Sequence, residues 1–381
     1  MLKIGIFTFY NNYNYGSYLQ AFALRSKICG MGYDAYVIDF TDYSKKWNNR
    51  LRYKTILNRL LCSIKRPSLF IEAINAKKVG IQSTLCDDEM RRQFDAFSDE
   101  HLRLYKDDYT AEGIFSAFVV GSDQVWKMTL PGLHYVLFLR FAKPIQRISY
   151  AASLGGSIVP SYNRSMLKKY VKSFSSVSVR EDSSVKMLAE LDSSIQPEFV
   201  LDPVLLVGKE FWDEQLSICP KEHDNYVLLY FLDNISHDRD IFYEVIKQYA
   251  KTNILMVNTG IPVPANISAQ IVTPGPIEFV NLIKNAKAVL TDSFHGSAFS
   301  VLYNKDFYTF PRNYKMYSGQ KDRLYSLLKL FDCQDRYMDG TASVPDVRAL
   351  NDNLITSKMT EMQISSKCYL QEAINKSIKA N

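Results

Sequence analysis

The sequence predicts an α/β protein built from two doubly wound, Rossmann-like domains. Three observations carry this. The chain has 381 residues, long for one core and ample for two domains. Short apolar segments with strand character alternate with helix-like segments, the signature of parallel sheets. A second such series begins after a charged stretch at 206–225 that contains Gly208 and Pro220.

In order, Lys3–Phe9 reads as a strand, Tyr18–Cys29 as a helix stopped near Gly30 and Gly32, and Ala35–Phe40 as a second strand. Further strands are expected at Phe115–Val120, Arg147–Tyr150, Ser176–Val179 and Phe199–Leu201, each followed by a polar turn. The second series opens with the apolar strand Tyr226–Leu232 and continues with a helix at Asp240–Ala250 and strands at Ile254–Val257 and near Ile271. A helix at Pro276–Ala286, the strand Ala288–Leu290 and an amphipathic helix after Thr291 complete it. The expected domains are 1–205, 206–353 and a C-terminal helix, 354–381, with the option of crossing back onto the first domain.

The chain is 47% hydrophobic and 23% charged, the profile of a globular protein. The 25 tyrosines and 22 phenylalanines suit surfaces that stack on sugars or rest near lipid. Six cysteines show no CxxC or CxH spacing, so free thiols are expected rather than a disulfide frame or a zinc site. Met1 leads straight into a strand pattern without a basic leader, and no apolar run reaches the roughly 18 residues of a membrane span. A cytoplasmic location is the expectation, with the inner face of the membrane as a further option.

The net charge of +6 is concentrated. Residues 43–70 hold eight cations (Lys45, Lys46, Arg50, Arg52, Lys54, Arg59, Lys65, Arg66) and no acid, so the remainder is slightly acidic. Apolar residues in that stretch recur at helical spacing. Two readings stand side by side: a surface resting on anionic lipid, or a solvated helix packed on its own domain. No nucleic-acid-binding motif accompanies the charge, so nucleic acid is not expected as a partner.

Ligands of doubly wound sheets bind beyond the carboxyl ends of the strands, so the loops there hold the candidate chemistry. In NNYNYGSYLQ, Asn14, Gly16 and Ser17 open a helix; on pattern this is an ordinary capped turn with Ser17 as the cap. In VVGSDQVW, Ser122, Asp123, Gln124 and Trp126 are equipment for holding a sugar, with Asp123 as either a proton acceptor or the cap of a following helix. In SYAASLGG, Ser153 follows a strand. Arg180 emerges beyond another and suits a phosphate or carboxylate better than a salt bridge to Glu181 or Asp182. In TDSFHGSAFS, Gly296 and Ser297 are expected to leave amides open for a phosphate. His295 beside them is a candidate acid or base.

Together these loops resemble the polysaccharide pyruvyl transferase family. The resemblance rests on NYGSYLQAFAL (14–24), VVGSDQVW (119–126), SYAASLG (149–155), SVREDSS (178–184), LDPVLL (201–206) and TDSFHGSAFS (291–300), in family order over residues 1–340. It implies a fold like the GT-B glycosyltransferases and an enzyme using phosphoenolpyruvate as co-substrate, with no cofactor and no metal. The product would be a pyruvate ketal on a sugar of a capsular or exopolysaccharide precursor; the basic 43–70 segment, which lies outside the resemblance, is the ground for expecting a lipid-linked acceptor. In that scheme His295 and Asp123 are catalytic. Arg180, Ser293, Gly296, Ser297 and Arg323 bind the donor. Asn14, Gly16, Ser17, Ser122, Gln124, Trp126 and Ser153 bind the acceptor. Many relatives carry an arginine where this chain has Ser293; Arg312, Lys315, Lys321 or Arg323 are candidate replacements. Two other readings remain: a nucleotide-sugar glycosyltransferase on the same fold, and a catalytically silent glycan-binding protein.

Overall fold

The computed structural model describes residues 1–40, 53, 56–57, 60–61, 64, 87–128, 133–156, 158–217, 219, 223–234, 239–312, 320–341, 343–345 and 350–379. The chain forms two compact units. The first comprises Met1–Lys78, Ser98–Leu206 and Met362–Asn381; the second comprises Val79–Phe97 and Val207–Glu361.

The first unit holds a parallel sheet of β1 (Lys3–Phe7), β2 (Asp34–Ile38), β3 (Leu104–Tyr105), β4 (Ala117–Val120) and β5 (Arg147–Ser149), ordered β3-β2-β1-β4-β5. A short parallel pair, β6 (Ser178–Val179) and β7 (Glu198–Phe199), adjoins β5 through the bridges Ile148–Ser176 and Ala152–Val179. Side chains alternate between two cores. Phe7, Ile38, Phe118 and Val120 join an aromatic-rich cluster containing Trp126 and Phe138. Ile4, Ile6, Ala35 and Val119 join a second cluster with Leu24, Ile28, Leu370 and Ile374. The helices Tyr15–Gly30 and Asp352–Lys379 therefore contribute to one face of the sheet together. Hydrogen bonds hold the C-terminal helix there: the Leu201 amide donates to Ser366 Oγ at 2.9 Å, and Tyr369 Oη to the Ser149 carbonyl at 2.8 Å.

The second unit repeats the topology. Its strands β8 (Tyr226–Tyr230), β9 (Asn253–Val257), β10 (Gln270–Val272), β11 (Ala288–Thr291) and β12 (Asp306–Thr309) are parallel, in the order β10-β9-β8-β11-β12. Val227, Leu229, Met256, Leu290 and Phe310 pack on Phe242 and Val245 of the helix Arg239–Lys247. The linear domain boundaries did not anticipate the excursion of Val79–Phe97 into this unit. Its helix, Asp88–Phe97, buries Met90, Phe94 and Phe97, while Gln93 Nε2 donates to the Thr273 carbonyl at 3.0 Å. Local pattern does not reveal which sheet such a helix covers.

In both sheets the strand order reverses between the first strand of the series and the fourth. The crevices this opens lie beyond β1 and β4 in one unit, and beyond β8 and β11 in the other.

Candidate active sites at the two switch points

At the β1/β4 crevice the helix starts three residues earlier than the sequence suggested, at Tyr15 rather than Tyr18, and this changes the role of Ser17. Asn14 is the N-cap, accepting from the Ser17 amide at 3.3 Å. Ser17 is not the cap; it is the third helical residue, and its hydroxyl donates to Asp123 Oδ2 at 2.8 Å. Gly16 is buried between them. Gln20, one turn further on, donates to Thr8 Oγ1 (2.8 Å) and to the Phe9 carbonyl (3.1 Å), and accepts from the Ser122 amide at 3.1 Å. The loop after β4 is thereby pinned to the loop after β1. Gly121 has φ +119°, and a Cβ there would meet the Tyr150 carbonyl oxygen at 2.0 Å, so only glycine fits.

Residues 124–128 run as a bend and turn rather than a helix, so Asp123 does not cap one there. It has φ +63°, its Oδ1 accepts from the Gln124 amide at 2.8 Å, and it is 9% exposed. Arg180 lies behind it, 4% exposed, in a cluster of carboxylates. Nη1 reaches Asp202 Oδ2 at 2.6 Å, Nε reaches Glu181 Oε1 at 3.4 Å, and Nη2 reaches Asp123 Oδ1 at 3.5 Å. Ser122 Oγ accepts from Arg180 Nη1 at 3.2 Å and donates to Asp202 at 2.8 Å. Burial works against the guanidinium's charge, but Asp202, Glu181 and Asp123 outweigh it and raise its pKa. A guanidinium committed to three carboxylates does not offer the open fork that a donor clamp needs. The guanidinium put forward as a donor clamp thus meets Asp202, Glu181 and Asp123 in the structure.

Two acceptor candidates also move into the framework. Trp126 is 1% exposed, stacks on Phe138 with centroids 5.3 Å apart, and donates its indole N–H to the Leu137 carbonyl at 3.0 Å. Ser153 is fully buried and accepts from the Gly155 amide at 3.2 Å. Gln124 differs: its side-chain oxygen is buried with no hydrogen-bond partner among the described residues.

The β8/β11 crevice is built otherwise. Ser293 caps the helix Phe294–Leu302, accepting from the Gly296 amide at 3.4 Å, and the Ser297 amide donates to the Ser293 carbonyl at 3.0 Å. The amides of Gly296 and Ser297 are therefore engaged, not open as expected: they occupy the third and fourth helical positions, where cap and ladder use them. Nor is the helix amphipathic, since all nine of its residues are buried. A Cβ on Gly296 would stand 2.7 Å from Thr291 Oγ1, so this glycine lets the helix approach β11. Thr291 Oγ1 donates to the Tyr230 carbonyl at 2.6 Å and accepts from the Ser293 amide at 3.0 Å.

His295, 6% exposed, sits on the first turn with its ring edge-on to Phe294. Asp292, 3% exposed, accepts from the Leu232 amide at 2.9 Å and lies 3.2 Å from Arg312 Nε, which also donates to the Asp292 carbonyl at 3.0 Å. Burial raises the Asp292 pKa, and Arg312 partly offsets it. Arg323 is buried on the helix Gln320–Leu330, which packs against Phe294–Leu302. Lys321 is instead paired with Asp339 at 2.9 Å, and Lys315 lies outside the described residues.

The structure thus gathers Ser17, Ser122, Asp123 and Arg180 in the first unit, and Ser293, His295, Gly296 and Ser297 in the second. Sequence reasoning missed Gln20, Thr8 and Asp202. Gln20 falls one helical turn after Ser17, and Asp202 sits in the LDP turn, a spacing and a motif that were legible. No group of three or more metal-ligating side chains occurs among the described residues. No helix among them is long and apolar enough to cross a membrane.

The chain folds into two doubly wound Rossmann-like units, each with polar side chains at its switch point. The polysaccharide pyruvyl transferase profile matches residues 14–314, and the chain belongs to that family. No curated protein matches it in sequence. Among solved structures it is similar to a UDP-GlcNAc 2-epimerase from Neisseria meningitidis bound to UDP-GlcNAc (12% identity, 96% of this chain and 100% of that one, TM-score 0.44). It is also similar to UGT89C1 from Arabidopsis thaliana (11%, 99% and 99%, 0.46) and to the glycosyltransferase SnogD from Streptomyces nogalater (11%, 100% and 99%, 0.38). These likenesses are too slight to say anything of this chain's chemistry.

Proposed function

We propose that the chain transfers the enolpyruvyl-derived group of phosphoenolpyruvate to two hydroxyls of one sugar in a lipid-linked precursor of a cell-surface polysaccharide. The product is a cyclic ketal, and phosphate is released. The family match supports a pyruvyl transferase acting on polysaccharide. The observation that carries the finer reading is Asp123 at the β1/β4 crevice, oriented by the Gln124 amide and by Arg180, beside the unsatisfied Gln124 oxygen.

The chemistry follows from protonation states. Carbon 3 of the donor gains a proton, for which His295 is the candidate acid. Carbon 2 becomes cationic, and a sugar hydroxyl adds to it as Asp123 takes the hydroxyl proton. The second hydroxyl then displaces phosphate, losing its own proton to the leaving group. The donor's anionic ends need cations. Arg312, held by Asp292, and Arg323 are the candidates in the second unit, with Ser293 in the position where many relatives carry arginine. No cofactor or metal is needed in this scheme.

The test mixes the protein with phosphoenolpyruvate and candidate lipid-linked glycans and follows free phosphate. Acceptor-dependent release that is lost in Asp123→Asn supports the reading. Thermal stabilisation by a nucleoside diphosphate, with none by phosphoenolpyruvate, overturns it in favour of a nucleotide-sugar donor.

A further inference from the structure

Most of the basic stretch 43–70 lies outside the described residues, but six of its members do not. Tyr53, Ile56, Leu57, Leu60, Leu61 and Ile64 are all helical, and all are exposed: 66%, 44%, 41%, 54%, 50% and 76% respectively. Their spacing of three, four, seven, eight and eleven residues from Tyr53 puts them on one helical face, an arc of about 140° at 100° per residue.

The helix Asp88–Phe97 shows what the protein does with such a face when it belongs to the core. Met90, Phe94 and Phe97 there have comparable spacing, and all three are buried. Six large apolar side chains left open together form a patch of the kind that marks an interaction surface.

Charge selects the occupant. In the sequence, Lys54 and Arg59 fall between the apolar positions, Arg50, Arg52, Lys65 and Arg66 flank them, and 43–70 contains no acid. A second copy would set two such cationic segments against each other, which is repulsive. An anionic bilayer satisfies both properties: acyl chains accept the leucines and isoleucines, headgroups accept the cations, and a tyrosine suits the boundary between them.

We infer that this stripe inserts in the plane of an anionic membrane surface and docks the first unit there. The inference extends the lipid-linked-acceptor reading, but its test uses no substrate, so either can fail without the other. The full-length protein is floated with vesicles of phosphatidylcholine alone and of phosphatidylcholine with phosphatidylglycerol. Wild type is expected to float with the anionic vesicles and not with the neutral ones. Lys54→Gln/Arg59→Gln/Lys65→Gln should weaken binding about a hundredfold, roughly fivefold per cation. Leu57→Ser/Leu60→Ser/Leu61→Ser should weaken it at least about tenfold with an unchanged melting temperature. Three results overturn the inference. The serine variant could bind like wild type, leaving charge alone. It could melt well below wild type, making the stripe a core face. Or wild type could sediment as a dimer that the serine variant dissolves, making the stripe an interface between copies.

Discussion

The two switch points share a strand order and differ in almost everything else. Beyond β1 and β4, one guanidinium is surrounded by Asp202, Glu181 and Asp123, and hydroxyls and an amide complete the network. Beyond β8 and β11, a single buried acid meets one arginine, and the next helix is buried all round. The first crevice holds charge by mutual pairing; the second holds a buried turn in which burial works against the charge of Asp292. Topology chooses where a site forms, and the side chains decide whether it stabilises anions or discourages them.

The largest effect that would sharpen this contrast is expected from Arg180→Met. Removing the one cation leaves three buried carboxylates uncompensated, at a cost of about 3–5 kcal/mol. Chemical denaturation should show it, and Asp202→Asn added to Arg180→Met should recover part of the loss. A melting curve like that of wild type would show that the carboxylates do not depend on Arg180.

His295→Gln should act on rate instead. Acceptor-dependent phosphate release is expected to fall by roughly two to four orders of magnitude, the range for a general acid or base, with little loss of stability. Retained turnover would remove His295 from the chemistry and leave the second crevice structural.

Gly296→Ala drives a Cβ to within 2.7 Å of Thr291 Oγ1 and should cost about 1–3 kcal/mol. Ser17→Ala removes one hydrogen bond to Asp123 and should cost about 1 kcal/mol, with a larger effect on kcat than on KM for phosphoenolpyruvate.

The smallest effect distinguishes the crevices by pH. The pKa of Asp292 is raised on folding, so the folded protein holds that proton more tightly than the unfolded chain. Its contribution to stability is full below the ordinary aspartate value of about 4 and is lost as pH rises through the raised value. Asp292→Asn should therefore be more stable than wild type at neutral pH, with the difference shrinking in acid. Urea titrations across that range check it; parallel curves would deny the desolvation penalty.

The elements most legible in the sequence were the buried strands, because parallel strands covered on both faces read as short apolar runs: Ile4–Phe7, Val119–Val120, Tyr226–Tyr230 and Ala288–Leu290 are such cases. Helices starting in polar turns were less so. The helices Asp88–Phe97, Ser161–Val171 and Asp182–Leu191 were not anticipated, since their apolar residues are few and acquire meaning only against a partner surface. The positions of the candidate loops followed from the strands. Their internal bonding did not, because Arg180 and Asp202 are separated by 22 residues and Gln20 and Ser122 by 102.

By itself, then, the order of residues determined the α/β class, the parallel strands and the turns in which acids, hydroxyls and a histidine stand, because these depend on periodicity and on local backbone preference. Only the tertiary structure decided that Trp126 is core, that the amides of Gly296 and Ser297 are engaged, and that Arg180 faces carboxylates. Those outcomes depend on which distant groups arrive in the same few ångströms, where the strongest available partner takes each donor.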